Sequence, residues 1–148
     1  MYRQILIATD GSALEEKAVS HGLSLAKSVG AKVIALIVEA PFNVYGVPES
    51  MIGQMSDAFA QHAEHIKQHA GIVLNRIADA AKAAGVPCET VQVEHDHPYQ
   101  AIIATAKAKD CDLIVMASHG RSGISAVLLG SVTNKVLTHT NIPVLVCH

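Results

Sequence analysis

Apolar residues along this chain fall into two patterns. Short unbroken runs, Ile5–Ala8, Val33–Val38 and Leu113–Ala117, alternate with longer stretches in which apolar positions recur every three or four residues. Unbroken runs of this length suit strands buried on both faces of a parallel sheet, and the three-to-four spacing suits helices with one buried side.

Taken in order, a first strand over residues 3 to 8 ends at Asp10-Gly11-Ser12. Ser12 and Glu15 have capping-box spacing, and Leu14, Ala18, Leu25 and Val29 supply the apolar side of a helix that stops at Gly30. A second strand, Val33 to Val38, precedes a stretch from Glu39 to Ser50 containing Pro41, Asn43, Gly46 and Pro48, which reads as an irregular, mobile loop. From about Ile52 to Ala84 the chain is free of proline. Phe59, Ile66, Ala70, Val73, Ile77 and Ala84 fall on one side at about 100° per residue, which predicts a long amphipathic helix. Gly85-Val86-Pro87 breaks it, Glu89–Glu94 alternates as a strand with one exposed face, and His97-Pro98 opens a helix running to about Lys109. Leu113–Ala117, Ser131–His139 and Val144–Cys147 complete the series as strand, helix and strand. Regular alternation of strand and helix predicts an α/β domain, a parallel sheet with helices on both faces joined by right-handed crossovers.

Composition narrows the class. The chain has 148 residues, half of them hydrophobic and 16% charged, which suits a single globular domain over residues 1–148. No apolar run is long enough to span a bilayer, and the start lacks the pattern of a secretion signal, so a cytoplasmic location is expected and no membrane association. A net charge of −2 with 3% aromatic residues argues against nucleic acid as partner. Cys88, Cys111 and Cys147 are odd in number and widely spaced, which predicts reduced thiols rather than a disulfide framework or zinc site.

Chemistry concentrates between Met116 and Lys135. The strand ending at Ala117 runs into Ser118-His119-Gly120-Arg121-Ser122-Gly123, and Gly130-Ser131 then opens a helix. Bare glycine backbone beside the free N–H groups of a helix start suits a phosphate. On that reading the N–H groups of Gly120, Gly130 and Ser131 donate to phosphate oxygens; an ordinary strand-to-helix connection is the alternative. The loop lacks Gly-Lys-(Ser/Thr) and Gly-x-Gly-x-x-Gly, and the missing lysine favours binding over hydrolysis.

Gly120, nine intervening residues and Gly130-Ser131 resemble the second half of the nucleotide-binding signature of the universal stress protein family, Gly-x-x-Gly-x9-Gly-(Ser/Thr). Position 117, where the signature has its first glycine, carries Ala117. Ile5-Leu6-Ile7-Ala8-Thr9-Asp10-Gly11-Ser12 is similar to the family's opening strand and loop, and Ile142-Pro143-Val144-Leu145-Val146 to its closing strand. The resemblance covers essentially the whole chain. It implies a doubly wound fold of the adenine nucleotide alpha hydrolase-like kind with strand order 3-2-1-4-5, which brings Asp10 and the 117–131 loop to one crevice. It further implies ATP, with Mg²⁺ carried on its phosphates, as ligand, and a homodimer paired along the edge strand Val144 to Cys147. A role as a stress-response or regulatory factor with a protein partner follows from the same likeness.

The site expected from the resemblance consists of Asp10, Val38, Ala117, Gly120, Gly130 and Ser131. Asp10 reads equally as a turn residue or as the carboxylate that accepts from a ribose hydroxyl, accepts from the adenine amino group or helps hold a metal. Val38 reads as sheet core or as main chain meeting the adenine. His119 reads as a solvated loop histidine, and His62, His65 and His69 as a polar helix face in preference to a metal site. No catalytic constellation is present, since no Gly-x-Ser-x-Gly elbow occurs. Three other readings stay open: an interaction module of the same family without nucleotide, a slow ATPase or phosphoryl-transfer enzyme, and a histidine-dependent metal sensor.

Overall fold

β1 (Gln4–Thr9) is the strand around which the others assemble. In the computed structural model, which describes residues 1–41, 48–119 and 129–148, it pairs in parallel with β2 (Lys32–Glu39) on one side and β4 (Leu113–Ala117) on the other. β3 (Cys88–Glu94) lies outside β2 and β5 (Val144–Cys147) outside β4, giving a five-stranded parallel sheet of order 3-2-1-4-5, as the resemblance implied. The connections are α1 (Glu16–Val29), α2 (Glu49–Ala84), α3 (Pro98–Ala108) and α4 (Ser131–His139).

The unbroken apolar runs have their explanation in the two faces of this sheet. Ile5 and Ile7 point one way and pack with Ala18, Leu23 and Ala26 of α1, while Leu6 and Ala8 point the other way toward Ile102 and Ala106 of α3 and Val136 of α4. Ile5, Leu6 and Ile7 therefore have no exposed surface at all. Burying a side chain of this kind contributes about 1.5–3 kcal/mol. α1 lies against β1 at Gly22, where a Cβ would stand 2.5 Å from Ile7 Cδ1, so only a residue without a side chain permits this approach. The starts of β1 and β4 are tied by Asp112, whose carboxylate accepts the backbone N–H groups of Arg3 and Gln4. Burial pushes this carboxyl up, and those donors more than offset it, leaving it below the usual range.

Several local expectations change. Ser12 forms no side-chain cap; the chain enters α1 through a single 3₁₀ turn, Ala13–Glu15, and Glu15 is used elsewhere. α2 begins at Glu49, directly after Pro48, and is 36 residues long. Only its C-terminal part covers the sheet, with Ala70, Val73, Leu74 and Ile77 buried against Ala35 and Ile37 of β2. The described side chains of α2 before Ala70 are exposed or half-buried, Phe59 and Ile66 among the latter. The part of the expected loop at 42–47 lies outside the described residues. Among the described residues no helix is long and apolar enough to cross a membrane.

Candidate functional site

In a sheet of this order the neighbours β1 and β4 send their connections to opposite faces, and the carboxyl ends of the two strands border a crevice. The turn leaving β1 is built from local hydrogen bonds. Asp10 Oδ1 accepts the Ser12 N–H at 2.8 Å and Thr9 Oγ1 accepts the Gly11 N–H at 3.1 Å. Gly11 takes φ +80°, and a Cβ there would stand 2.9 Å from Val73 Cγ2 of α2, so glycine is needed both for the angle and for the space.

Glu15 occupies the inside of this turn. Only 8% of its surface is exposed, and its carboxylate accepts the backbone N–H of Asp10. Burial pushes its carboxyl up to about 7; the Asp10 N–H opposes that rise and the negative charge of Asp10 adds to it.

On the other side of the crevice, Leu113–Ala117 is buried throughout. Two hydrogen bonds close the base of the loop that follows: Gly130 N–H to the Ser118 carbonyl at 2.7 Å and the Thr133 hydroxyl to the Ala117 carbonyl at 2.9 Å. Gly130 caps α4, and Asn134 N–H makes the first helical bond back to it. The Gly130 N–H expected to face a phosphate thus already has an acceptor. The N–H groups of Ser131 and Val132, in the first turn of α4, are among those that a helix cannot satisfy from within.

Between the strand ends lies a cavity of about 150 Å³. Ala8, Leu36, Val38 and Met116 line it from the sheet, Pro98, Ile102 and Val132 from the helices, and Thr9, Asp10 and Glu15 form its polar corner. An apolar slot with a few converging polar groups is the usual form of a small-molecule site. A groove of about 430 Å³ between α1 and α2 is larger; it lies on the opposite face of the sheet and reaches the β1 turn only from behind, at Thr9, Gly11 and Ser12.

Of the residues expected at the site, Asp10 and Val38 meet at the smaller cavity, and Ser131 stands one position before Val132 in α4. Ala117 packs with Ile5, Ile7 and Ala18 on the α1 side of the sheet, opposite to Met116, so its methyl group is turned away from this cavity. It borders a separate cavity of about 500 Å³ with Leu14, Ser118, His119, Cys147 and His148. Gly120 lies outside the described residues. His119 is less solvated than expected: Nδ1 is 3.1 Å from Ser118 Oγ, and Nε2 is shielded from solvent with no hydrogen-bond partner among the described residues. His62, His65 and His69 are exposed on α2. Burial, with the charges of Asp112 and Asp110 adding, pushes the Cys111 thiol up to about 11, which leaves almost no thiolate at neutral pH.

Glu15, Pro98, Ile102, Met116 and Val132 were not expected at the site. For Met116 and Val132 the signal was available, since each flanks a chemically suggestive residue. For Glu15 the capping-box spacing pointed to a different partner.

The family model for the universal stress protein family matches residues 1–148. Universal stress protein MJ0531 of Methanocaldococcus jannaschii is 32% identical over 99% of this chain and 82% of its own length. The solved structure of protein MJ0577 from the same organism superposes with a TM-score of 0.80 at 28% identity, covering 99% of this chain and 95% of the other. A universal stress protein solved in complex with cAMP superposes at 0.68 with 27% identity, covering 99% and 97%.

Proposed function

This chain belongs to the universal stress protein family, and from that premise we propose that it binds an adenine nucleotide, ATP with Mg²⁺ on its phosphates, in the crevice between β1 and β4. The observation that carries this reading is the 150 Å³ cavity, apolar on most sides, with Asp10 at its polar corner and the start of α4 beside it. A flat apolar base suits the slot formed by Leu36, Val38, Ile102 and Met116, where the Val38 main chain can meet its edge. The Asp10 carboxylate can accept from a ribose hydroxyl. The first N–H groups of α4 can take the phosphates, with the Ser131 hydroxyl adding a bond. A relative of 27% identity solved with cAMP supports an adenine nucleotide as the ligand class.

Mg²⁺ would travel with the phosphates, since it keeps several waters and needs few protein oxygens. Bound there, it would screen phosphate charge; the chain's own residues bind and orient. A cytoplasmic regulatory factor acting through a protein partner fits this design better than an enzyme. β5, with Leu145 exposed at the sheet edge, offers unpaired backbone groups to a second copy, which supports a homodimer.

Thermal unfolding with ATP, ADP, AMP, cAMP and GTP, each with and without Mg²⁺, tests the reading. Stabilisation by adenine nucleotides and not by GTP is expected, because anything that binds only the folded state raises its stability. Equal melting temperatures in all ligands would defeat it.

A further inference from the structure

We propose that Glu15 is a positioning residue of the nucleotide crevice: protonated, it holds the Asp10 carboxylate in place for the ribose, so that nucleotide binding is coupled to uptake of a proton. This rests on the adenine nucleotide reading above.

The geometry sets two carboxyl groups at one corner of the cavity, Glu15 buried and Asp10 half-exposed. Glu15 receives the Asp10 backbone N–H, and its carboxyl is also within hydrogen-bond reach of the Thr9 and Asp10 side chains. Two carboxyl groups so placed, beside Ala8, Leu36 and Met116, do not readily ionise together. Their surroundings divide the roles. Asp10 is the more open of the two and takes the Ser12 N–H, a bond that favours a charged acceptor. Glu15 is buried, which favours its neutral form. The shared proton therefore sits on Glu15, whose O–H can donate to Asp10 and fix the direction in which the charged carboxylate points.

A nucleotide filling the cavity would act on this pair in one direction. It removes remaining water from Glu15 and brings phosphate charge nearby, and both favour the protonated form. Among the described residues Asp10 is the charged group that acts on Glu15. The strands and helices lining the cavity contribute Ala8, Leu36, Val38, Met116, Ile102 and Val132, none of which titrates. Two histidines face this corner from neighbouring elements: His69 of α2, whose Nε2 lies 3.6 Å from where a Cβ on Gly11 would stand, and His119 at the end of β4, which borders the adjoining cavity with Leu14.

The test follows two readouts between pH 5.5 and 8.5 in the wild type, Glu15→Gln and Glu15→Ala. In the nucleotide-free protein, the ¹⁵N–H resonance of Asp10 should titrate with a midpoint of about 7 in the wild type and show no such step in Glu15→Gln. Wild-type affinity for ATP should fall above that midpoint by up to tenfold per pH unit, the limit for one linked proton. Glu15→Gln, which keeps an acceptor for the Asp10 N–H, should bind with an affinity independent of pH, and Glu15→Ala more weakly at every pH. An Asp10 resonance without the step, or a pH dependence that survives in Glu15→Gln, overturns the inference and points to His69 or His119. Wild-type binding that is constant over the range refutes the coupling alone. A protein that binds no nucleotide at any pH refutes the nucleotide reading, and the coupling with it.

Discussion

The Thr133 hydroxyl, in the first turn of α4, donates to the carbonyl of Ala117, the last residue of β4, at 2.9 Å. With the Gly130 N–H on the Ser118 carbonyl, this bond holds the start of α4 against the strand from which its loop departs. Thr133 is 3% exposed, so a lost partner is not replaced by bulk water. Thr133→Val, close in shape, should cost about 1 kcal/mol in urea unfolding and also weaken nucleotide binding, because it loosens the α4 start. A loss of stability with unchanged affinity would separate this bond from the site.

The buried carboxyl of Glu15 gives stability a distinct pH dependence. Its value is raised from 4.5 to about 7 in the folded protein, so the unfolded chain releases this proton first as pH rises. The stability present below pH 4.5 is lost progressively until about pH 7. Glu15→Gln, neutral throughout, should match the wild type near pH 4 and exceed it at pH 8 by about 2–3 kcal/mol. Chemical unfolding of both proteins at the two pH values measures this, and equal stability at pH 8 would contradict it.

Two helical glycines should respond to alanine with opposite sign. A Cβ on Gly22 would meet Ile7 Cδ1 at 2.5 Å and Cγ1 at 2.9 Å, and Ile7 is fully buried. Gly22→Ala should therefore destabilise, its overpacking cost of about 1–3 kcal/mol outweighing the gain in helix propensity. Gly71, in α2, has nothing within 4 Å of that position, and Gly71→Ala should stabilise by about 0.5–1 kcal/mol. Melting temperatures moving in opposite directions are the expected result.

Asp112 joins two strands through the backbone of Arg3 and Gln4, with N–H to oxygen distances of 2.9 to 3.1 Å. Asp112→Ala should cost about 1–2 kcal/mol and speed amide exchange at the start of β1, while leaving nucleotide affinity intact because it lies at the amino ends of the strands. Slow exchange at Arg3 and Gln4 in the variant would show that the pairing holds without it.

The strands were legible because a strand buried on both faces has no polar positions; Ile5–Ala8 and Leu113–Ala117 are continuous for that reason. Strand order was not in the pattern and came from the resemblance. The periodicity of α2 told of a helix but not where the sheet beneath it ends, so the exposed stretch before Ala70 went unforeseen. Strand alternation sets Ala117 with Leu113 and Val115, opposite Met116, but which of the two faces meets α1 and which meets α3 and α4 becomes evident only in the fold. Glu15 was misread for a local reason. The Ser12 N–H that a capping box would offer is taken by Asp10, and the glutamate turns instead to the Asp10 N–H.

Calorimetric titration of the nucleotide-free protein with ATP and Mg²⁺, beside Gly130→Val, tests the central claim most directly. Gly130 has φ −57° and ψ 152°, angles open to any residue, so valine adds bulk at the start of α4 without forcing the backbone. Binding in the micromolar range by the wild type, lost in a variant that still folds, is the expected result. No heat of binding from a folded wild-type protein, or equal affinity in the two, would contradict nucleotide binding in this crevice.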